Sequence, residues 1–311
     1  MTNHVSSVHS IDYDGCISDF LGGEKNPLEL MDANLIFLNH IKAVIHAEGL
    51  SQEMRTITIG SARQSKPVDL YCAQYNKGSS CFPLYLEIAK ELQAQFDSFL
   101  LADLKADDCQ DGDSYKRAMA LDYDGPHEDW FFDESKITLI YAQMHRASLN
   151  NINGKVIFHF YDDRSDILNA LNRFYQENSS LIPSNLTLKL HRHSNYEDVA
   201  MVYHYDDITN HYAQNNTDIC YKQTAQSMGN HIQSSAYTNM PLNISEVLNL
   251  RLENFSPISQ RRLDTISENP PITIVRPRAI RALLPSIFHA IPAATSSTNE
   301  QDKENDCPVF K

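Results

Sequence analysis

The sequence lacks features that mark several classes of protein. It has no run of about 20 uncharged apolar residues that could span a bilayer, and no basic and apolar stretch of the kind that opens a secretory signal. Only 10 of its 311 residues are glycine, which excludes a collagen-like repeat. We therefore expect a soluble protein of cytoplasmic type.

Cysteine is also sparse, and its spacing is uninformative. No C-x-x-C pair occurs among Cys16, Cys72, Cys81, Cys109, Cys220 and Cys307. This argues against a zinc ribbon and a dense disulfide framework, and it fits a reducing compartment. No cysteine is followed six residues later by arginine, so the loop of a cysteine-based phosphatase is missing.

Basic residues are in the minority. The chain has 26 Lys and Arg against 40 Asp and Glu, a net charge of −14, and such a chain repels a phosphate backbone unless its basic residues are segregated. Nucleic-acid binding is therefore not expected. The 42% of hydrophobic residues is typical of a globular protein and argues against wholesale disorder.

Short apolar runs alternate with longer helical patterns, which is typical of βαβ units and a parallel sheet. The apolar runs predict strands at residues 8–12, 56–60, 156–161 and 186–191. Helical periodicity predicts helices over residues 30–48, 83–102, 135–149 and 164–177. The expected fold class is α/β, a Rossmann-like, doubly wound parallel sheet.

Composition divides the chain into three parts. Residues 1–195 form the predicted α/β domain, with an acidic, cap-like insertion at 103–133. Residues 196–290 are mixed and mostly helical with no clear layout, and 291–311 have the composition of a disordered tail. The basic, apolar segment 276–288 either packs on its own domain, which we favour, or contacts a membrane or protein partner.

Two acids end the first predicted strand. Asp12 and Asp14 are one residue apart, and a turn beginning at Gly15 can swing the second carboxylate over the strand end. Open α/β sheets bind ligands at the carboxyl ends of their strands. A carboxylate pair there can hold Mg²⁺ and act as a nucleophile or as an acid and base.

Chemically related side chains follow the later strands. Ser61 closes the second predicted strand and Arg63 lies two residues on, while Lys136 begins a helix. The third predicted strand runs into an acidic cluster of Asp162, Asp163 and Asp166. The order along the chain is thus an acid pair, a small hydroxyl, a lysine and an acid cluster.

That order resembles the haloacid dehalogenase (HAD-like) superfamily of phosphohydrolases over about residues 8–195. The resemblance implies an aspartyl-phosphate mechanism with Asp12 as nucleophile and Asp14 as acid and base. It assigns phosphate binding to Ser61, Lys136 and Arg63. It assigns Mg²⁺ to Asp12, Asp14, Asp162, Asp163 and Asp166. Tyr161 stands where many members carry glycine, which leaves open which of the last three acids face the metal.

The implied substrate is less specific. A phosphatase domain with an acidic tail resembles secreted effector phosphatases of intracellular bacteria, some of which act on phosphotyrosine in host proteins after export without a signal peptide. The alternatives are a small-molecule phosphatase, a polynucleotide 3′-phosphatase, and a binding module without catalysis. Trp130, Phe131 and Phe132 either stack on an aromatic leaving group or pack the insertion onto the sheet.

Other patterns compete with this site. Asp122 lies in a second copy of the Asp-Tyr-Asp-Gly motif that begins at Asp12, here preceded by Leu instead of Ile. No strand ending in Ser or Thr follows Asp122 before the acid cluster, so we favour Asp12. Lys155 competes with Lys136 as a phosphate ligand, but it opens a strand and is therefore expected at the edge of the sheet opposite the site. His191 and His193, with Tyr205-Asp206-Asp207, either form a second metal site or are ordinary polar residues, which we favour.

Overall fold

A mostly parallel, mixed β-sheet forms the centre of the molecule. The computed structural model describes residues 4–18, 25–75, 78–105, 109–133, 135–193, 203–210 and 216–238. The parallel strands, in spatial order β3-β2-β1-β4-β5, are β1 (Val5–Ile11), β2 (Arg55–Ile59), β3 (Gln95–Asp97), β4 (Lys155–Asp162) and β5 (Leu186–Arg192). The antiparallel strands β6 (Tyr203–His204) and β7 (Ile208–Thr209) pair with the outer side of β5.

Eight α-helices lie in the described residues. They are α1 (Pro27–Ala33), α2 (Leu35–Glu48), α3 (Lys66–Tyr75), α4 (Phe82–Glu91), α5 (Asp113–Met119), α6 (Ile137–Asn150), α7 (Ser165–Glu177) and α8 (Tyr221–Thr238). None of these helices is both long and apolar enough to cross a membrane. The observed α/β class is the one predicted, and the strand order is compatible with a Rossmann-like fold.

Helices cover both faces of the sheet, so the side chains of β1 are buried on both sides. Ser10 donates a 2.7 Å hydrogen bond to Gln143 of α6 on one face. His9, which precedes it and points the other way, stacks on His159, whose side chain bonds Glu48 of α2. The four predicted strands and the helices α6 and α7 are confirmed, with ends shifted by up to three residues.

Residues 30–48, predicted as one helix, form parts of the two helices α1 and α2, because the helix is interrupted at Asn34. The buried amide of Asn34 donates to the carbonyl oxygens of Leu30 and Ile17, each at 2.8 Å. An asparagine side chain that bonds backbone oxygens competes with the helical ladder. The break thereby ties α1 to the turn that follows β1.

The helix predicted over residues 83–102 is wrong beyond Glu91. Gln93 has a φ of 48°, in the left-handed region, and turns the chain into β3. Phe99 and Leu101 are buried in the segment after that strand rather than on a helix face. Apolar spacing alone does not distinguish a buried turn from a helix, which is why the prediction failed.

The predicted insertion at residues 103–133 packs against the rest of the domain. Asp103 is buried and accepts backbone hydrogen bonds from Leu100, Gly112 and Ser114 at 2.7–2.9 Å. One carboxylate thus organises the turn that leads into α5.

Trp130 packs the end of this insertion. Its side chain is 1% exposed, and a Cβ added at Gly229 of α8 would lie 2.6 Å from the indole ring and 3.3 Å from Phe131. The observed packing of Trp130 and Phe131 is against α8, whereas the prediction placed it on the sheet, and the buried Trp130 ring is not available to stack on a ligand.

The described residues beyond 195 belong to the same body as the sheet. Besides β6 and β7, helix α8 packs on α6, and Asp218 just before it accepts a 2.6 Å hydrogen bond from Tyr141. The boundary predicted at residue 195 therefore does not coincide with an edge of the sheet. The segment 276–288 and the tail 291–311 lie outside the described residues.

Candidate functional site

A lysine and two aspartates meet at the carboxyl ends of β1 and β4. The ammonium Nζ of Lys136 lies 2.9 Å from Oδ1 of Asp12 and 2.6 Å from Oδ2 of Asp162. All three side chains are buried. The backbone N–H of Asp12 donates to the carbonyl of Tyr161 at 2.9 Å, which holds the two strand ends together.

Lys136 reaches this position from the N-terminus of α6. Its φ of 57° lies in the left-handed region, which is uncommon for a residue with a side chain and costs about 1–2 kcal/mol. Burial alone would lower the pKa of Lys136, but the carboxylates of Asp12 and Asp162 outweigh it and raise the pKa. The ammonium is therefore charged, and its charge is directed at both carboxylates.

A third acid leaves the cluster with excess negative charge. Asp163 offers a carboxylate oxygen that lies within 4.8 Å of one from each of Asp12 and Asp162. Burial raises the pKa of Asp12 to about 8 against the opposing effect of Lys136, and burial together with Asp162 raises that of Asp163 to about 6. These raised pKa values mean that one ammonium does not offset the three acids, and a further cation would stabilise their ionised forms.

The donor set fits a magnesium ion. The atom Oδ1 of Asp163 is buried and has no hydrogen-bond partner among the described residues, which is costly unless a ligand satisfies it. The oxygens of Asp12 and Asp162 are the hard donors that Mg²⁺ prefers. These three residues would hold the ion.

Gly15 is needed where the acid pair meets this cluster. Its φ is +81°, and an added Cβ would lie 2.3 Å from Oδ2 of Asp163. The turn is closed by hydrogen bonds from the Gly15 N–H to Ser18 and from the Ile17 N–H to Tyr13. Only glycine combines this backbone angle with so close an approach of the carboxylate.

Replacing Gly15 with alanine should weaken metal binding. The methyl group displaces the Asp163 carboxylate, so we expect the Mg²⁺ affinity measured by calorimetry to fall at least tenfold. Gly49→Ala is the matched control, because Gly49 has a φ of +64° but nothing within 4 Å of an added Cβ. Both variants should lose about 1–2 kcal/mol of stability. Equal Mg²⁺ affinities in the two variants would contradict the assignment of Asp163 to the metal.

Asp14 does not join the three-acid cluster but pairs with Arg63. Nε and one terminal nitrogen of Arg63 lie 2.8 and 2.5 Å from the two oxygens of Asp14. The guanidinium also donates to Asp69 at 3.3 Å and to the carbonyl of Ser79 at 3.1 Å, and it lies 4.6 Å from the centre of the Tyr13 ring. Arg63 is 1% exposed.

This arrangement corrects the role predicted for Arg63. Its donors are directed at Asp14, Asp69 and the backbone oxygen of Ser79, so the guanidinium is engaged by groups of the protein itself. Asp69 is the residue that sequence reasoning missed. It is fully buried in α3, and no motif in the sequence indicates that it belongs near the site.

Ser61 lies at the same edge of the sheet, where the sequence predicted it. The N–H of Gly60 donates to the carbonyl of Ile11 at 2.8 Å, and a Cβ at Gly60 would lie 2.8 Å from the Ile11 backbone. The absence of a side chain at Gly60 thus lets the ends of β1 and β2 approach closely. The hydroxyl of Ser61 is buried and accepts from the N–H of Arg63 at 3.3 Å.

The remaining candidate residues lie elsewhere. Asp166, predicted as a metal ligand, has a side chain that is 55% exposed and pairs with Arg164 at 2.5 Å. Asp122 is exposed in a turn after α5, with no strand before it. Lys155 is exposed at the start of β4, at the opposite edge of the sheet. None of the three joins the cluster.

The second metal site considered from the sequence is not assembled as predicted. Asp207 pairs with Lys189 at 2.7 Å. His193 stacks on Phe37, with ring centroids 3.8 Å apart. His191 instead faces other histidines on the neighbouring strands.

Comparison of the chain with protein-family models, with curated proteins and with solved structures finds no match in any of the three. The function is therefore argued from the geometry of the site.

Proposed function

We propose that this chain is a Mg²⁺-dependent phosphomonoester hydrolase of the haloacid dehalogenase type, with Asp12 as its nucleophile. The observation that carries the proposal is the contact of one buried ammonium, Lys136, with the carboxylates of both Asp12 and Asp162 at the carboxyl edge of a parallel sheet. The neighbouring orphaned oxygen of Asp163 supports a metal at the same place.

The first half of the reaction is attack on phosphorus. A carboxylate oxygen of Asp12 forms a bond to phosphorus in line with the leaving oxygen, whose bond breaks as an aspartyl-phosphate forms. Asp14 protonates that oxygen, so that an alcohol leaves; to carry the proton, one Asp14 oxygen must first release its hydrogen bond from Arg63. A Mg²⁺ ion held by Asp12, Asp162 and Asp163 would supply the positive charge that lets two anions approach each other.

The second half reverses these roles. Asp14 takes a proton from a water molecule, whose oxygen bonds to phosphorus while the bond to Asp12 breaks. Inorganic phosphate leaves, and both carboxyl groups return to their starting states. In this proposal the ammonium of Lys136 and the hydroxyl of Ser61 bind phosphoryl oxygens throughout the cycle.

Arg63 contributes by orienting Asp14. Its two parallel hydrogen bonds fix the plane of that carboxylate, and a proton donor must be held within reach of the leaving oxygen for efficient transfer. In this scheme Arg63 touches no substrate atom and is a positioning residue.

Arg63→Lys separates this role from phosphate binding. A lysine cannot make the paired hydrogen bonds, so we expect kcat to fall about 10- to 100-fold with little change in KM. Arg146→Lys is the matched control, because Arg146 makes a similar paired contact to Asp97 at 2.9 and 3.2 Å away from the site. A raised KM at unchanged kcat would show that Arg63 binds phosphate after all.

Hydrolysis of p-nitrophenyl phosphate with and without Mg²⁺ tests the proposal. We expect turnover that needs Mg²⁺, is lost in chelator, and is inhibited by Ca²⁺. The larger Ca²⁺ ion accepts more ligands, so it can bind both oxygens of the nucleophile and blunt its attack. A protein that folds and binds Mg²⁺ without turnover would instead be the binding module considered above, and full activity in chelator would exclude this mechanism.

The net charge of the chain narrows the class of substrate more than the shape of the site does. The net charge of −14 opposes a polynucleotide, so a phosphoprotein or a small phosphomonoester fits better. The burial of Trp130 removes the aromatic platform that favoured phosphotyrosine. A bacterial effector acting on phosphotyrosine therefore remains a proposal that rests on the resemblance alone.

A further inference from the structure

A second cluster of potential ligands lies on the other face of the sheet, away from Lys136 and α6. His9 of β1 and His159 of β4 are register neighbours on the face covered by α2, and Glu48 is the last residue of that helix. Both histidines are buried, and the Glu48 side chain is 12% exposed. The proposed phosphatase chemistry uses none of these three residues.

The donor atoms of this cluster converge. One ligand atom from each of the three residues lies within 4.8 Å of the other two, and Nε2 of His159 is 2.8 Å from Oε1 of Glu48. The second carboxylate oxygen, Oε2 of Glu48, is buried and has no hydrogen-bond partner among the described residues. A buried carboxylate oxygen without a partner calls for a ligand.

We propose that His9, Glu48 and His159 form a binding site for a divalent transition metal ion, with zinc as the best fit. Two imidazoles and a carboxylate are a common zinc set, whereas the all-oxygen cluster of Asp12, Asp162 and Asp163 suits magnesium. The two sites would therefore select different ions. This inference does not depend on the phosphatase proposal.

Outer hydrogen bonds support both imidazoles. Nδ1 of His159 lies 2.8 Å from Nε2 of His191, and Nδ1 of His9 lies 3.3 Å from the hydroxyl of Tyr161. Each histidine thus has a partner for the ring nitrogen that would not bind the metal, as metal-ligating histidines do. Nε2 of His159 contacts Glu48, and Nε2 of His9 lies 3.4 Å from the hydroxyl of Ser7, a contact that would be given up on binding the ion.

The imidazoles are also in the form that binds a metal. Burial lowers the pKa of His9, and it lowers that of His159 to about 3, so both rings are neutral at pH 7. A metal ion needs the lone pair that protonation would remove. Nε2 of His159 carries its proton when it donates to Glu48, so binding the ion through Nε2 requires that proton to move to Nδ1, where His191 can accept it.

Binding requires a small rearrangement. The two rings stack with centroids 4.6 Å apart and planes 7° from parallel, whereas donors bound tetrahedrally to zinc at about 2.0–2.1 Å lie about 3.3 Å from one another. Rotation of the imidazoles would bring their Nε2 atoms onto one ion. Such an ion would tie the end of α2 to β1 and β4, and its fourth position would be left to a water molecule.

The test uses the full chain, stripped of metal and then held in excess Mg²⁺ so that the acid cluster is occupied. We expect one equivalent of Zn²⁺ to bind and to raise Tm by several degrees. Co²⁺ should give the visible absorption of a four-coordinate ion with nitrogen ligands. No Zn²⁺ binding to the wild-type chain, or a Co²⁺ spectrum of an all-oxygen octahedral site, would overturn the proposal without reference to any variant.

Three variants locate the ion. Glu48→Gln keeps the shape of the side chain and should weaken Zn²⁺ binding at least tenfold. Asp163→Asn should leave Zn²⁺ binding unchanged, as should His46→Gln, which replaces an exposed histidine on the same helix. Loss of Zn²⁺ in Asp163→Asn but not in Glu48→Gln would place the ion in the acid cluster and overturn the inference. Because the readouts are Zn²⁺ binding and Tm, a chain without phosphatase activity would leave this result intact.

Discussion

Asp12→Asn is expected to lower kcat at least about a thousandfold, which corresponds to about 4 kcal/mol of activation free energy. The amide has nearly the same volume as the carboxylate but cannot form the aspartyl-phosphate. The fold should persist, because the ammonium of Lys136 keeps its 2.6 Å contact with Asp162. Turnover of p-nitrophenyl phosphate and circular dichroism measure the two effects.

Asp122→Asn is the control for this variant. Asp122 occupies the same position in the second Leu-Asp-Tyr-Asp-Gly copy, but it is exposed in a turn. We therefore expect its activity to match that of the unmodified chain. An active Asp12 variant beside an inactive Asp122 variant would move the nucleophile to the second copy.

Lys136→Met should damage both stability and activity. The substitution keeps the length of the side chain but leaves the buried carboxylates of Asp12 and Asp162 without their shared counter-charge. Removing one partner of a buried ion pair costs about 3–5 kcal/mol, so we expect a loss of that size in urea unfolding without Mg²⁺. In Mg²⁺, kcat should fall at least about a hundredfold, since a phosphate ligand is lost as well.

Lys155→Met tests whether the loss of a different lysine, at the other end of β4, has the same effects on stability and activity. Lys155 lies exposed at the start of that strand, at the edge opposite the site. Its replacement should change the free energy of unfolding by less than about 0.5 kcal/mol and leave kcat unaltered. Equal effects at the two lysines would show that the contacts of Lys136 do not matter.

Local patterns predicted much of this arrangement because they depend on neighbours in the sequence. The apolar runs of β1, β2, β4 and β5 are long enough to indicate strands, and Asp12, Ser61 and Asp162 lie at or just after the carboxyl ends of β1, β2 and β4. Gly15 could be assigned to a turn because it directly follows the acid pair. The same local reasoning failed for residues 92–102, where the chain turns into β3 and its later apolar residues are buried outside any α-helix.

Partner choice among charges could not be read from the sequence. Arg63 follows a motif residue and seemed placed to bind phosphate, yet its guanidinium pairs with Asp14 and with Asp69 of α3. Likewise, Asp162 and Asp163 belong to the cluster while Asp166 pairs with Arg164 on the surface. Asp162 ends β4 whereas Asp166 lies in the first turn of α7, so their side chains point to different environments, which a linear motif does not reveal.

The sequence by itself therefore determined the α/β class, four of the strands and the carboxyl-edge location of Asp12, Ser61, Lys136 and Asp162. Only the tertiary structure decided which of those charges meet, and it alone brought His9, Glu48 and His159 together from two strands and a helix. The physical reason is the separation along the chain of the residues involved. Hydrophobic periodicity depends on residues a few positions apart, whereas electrostatic pairing and burial involve residues that only the packed sheet and helices bring close.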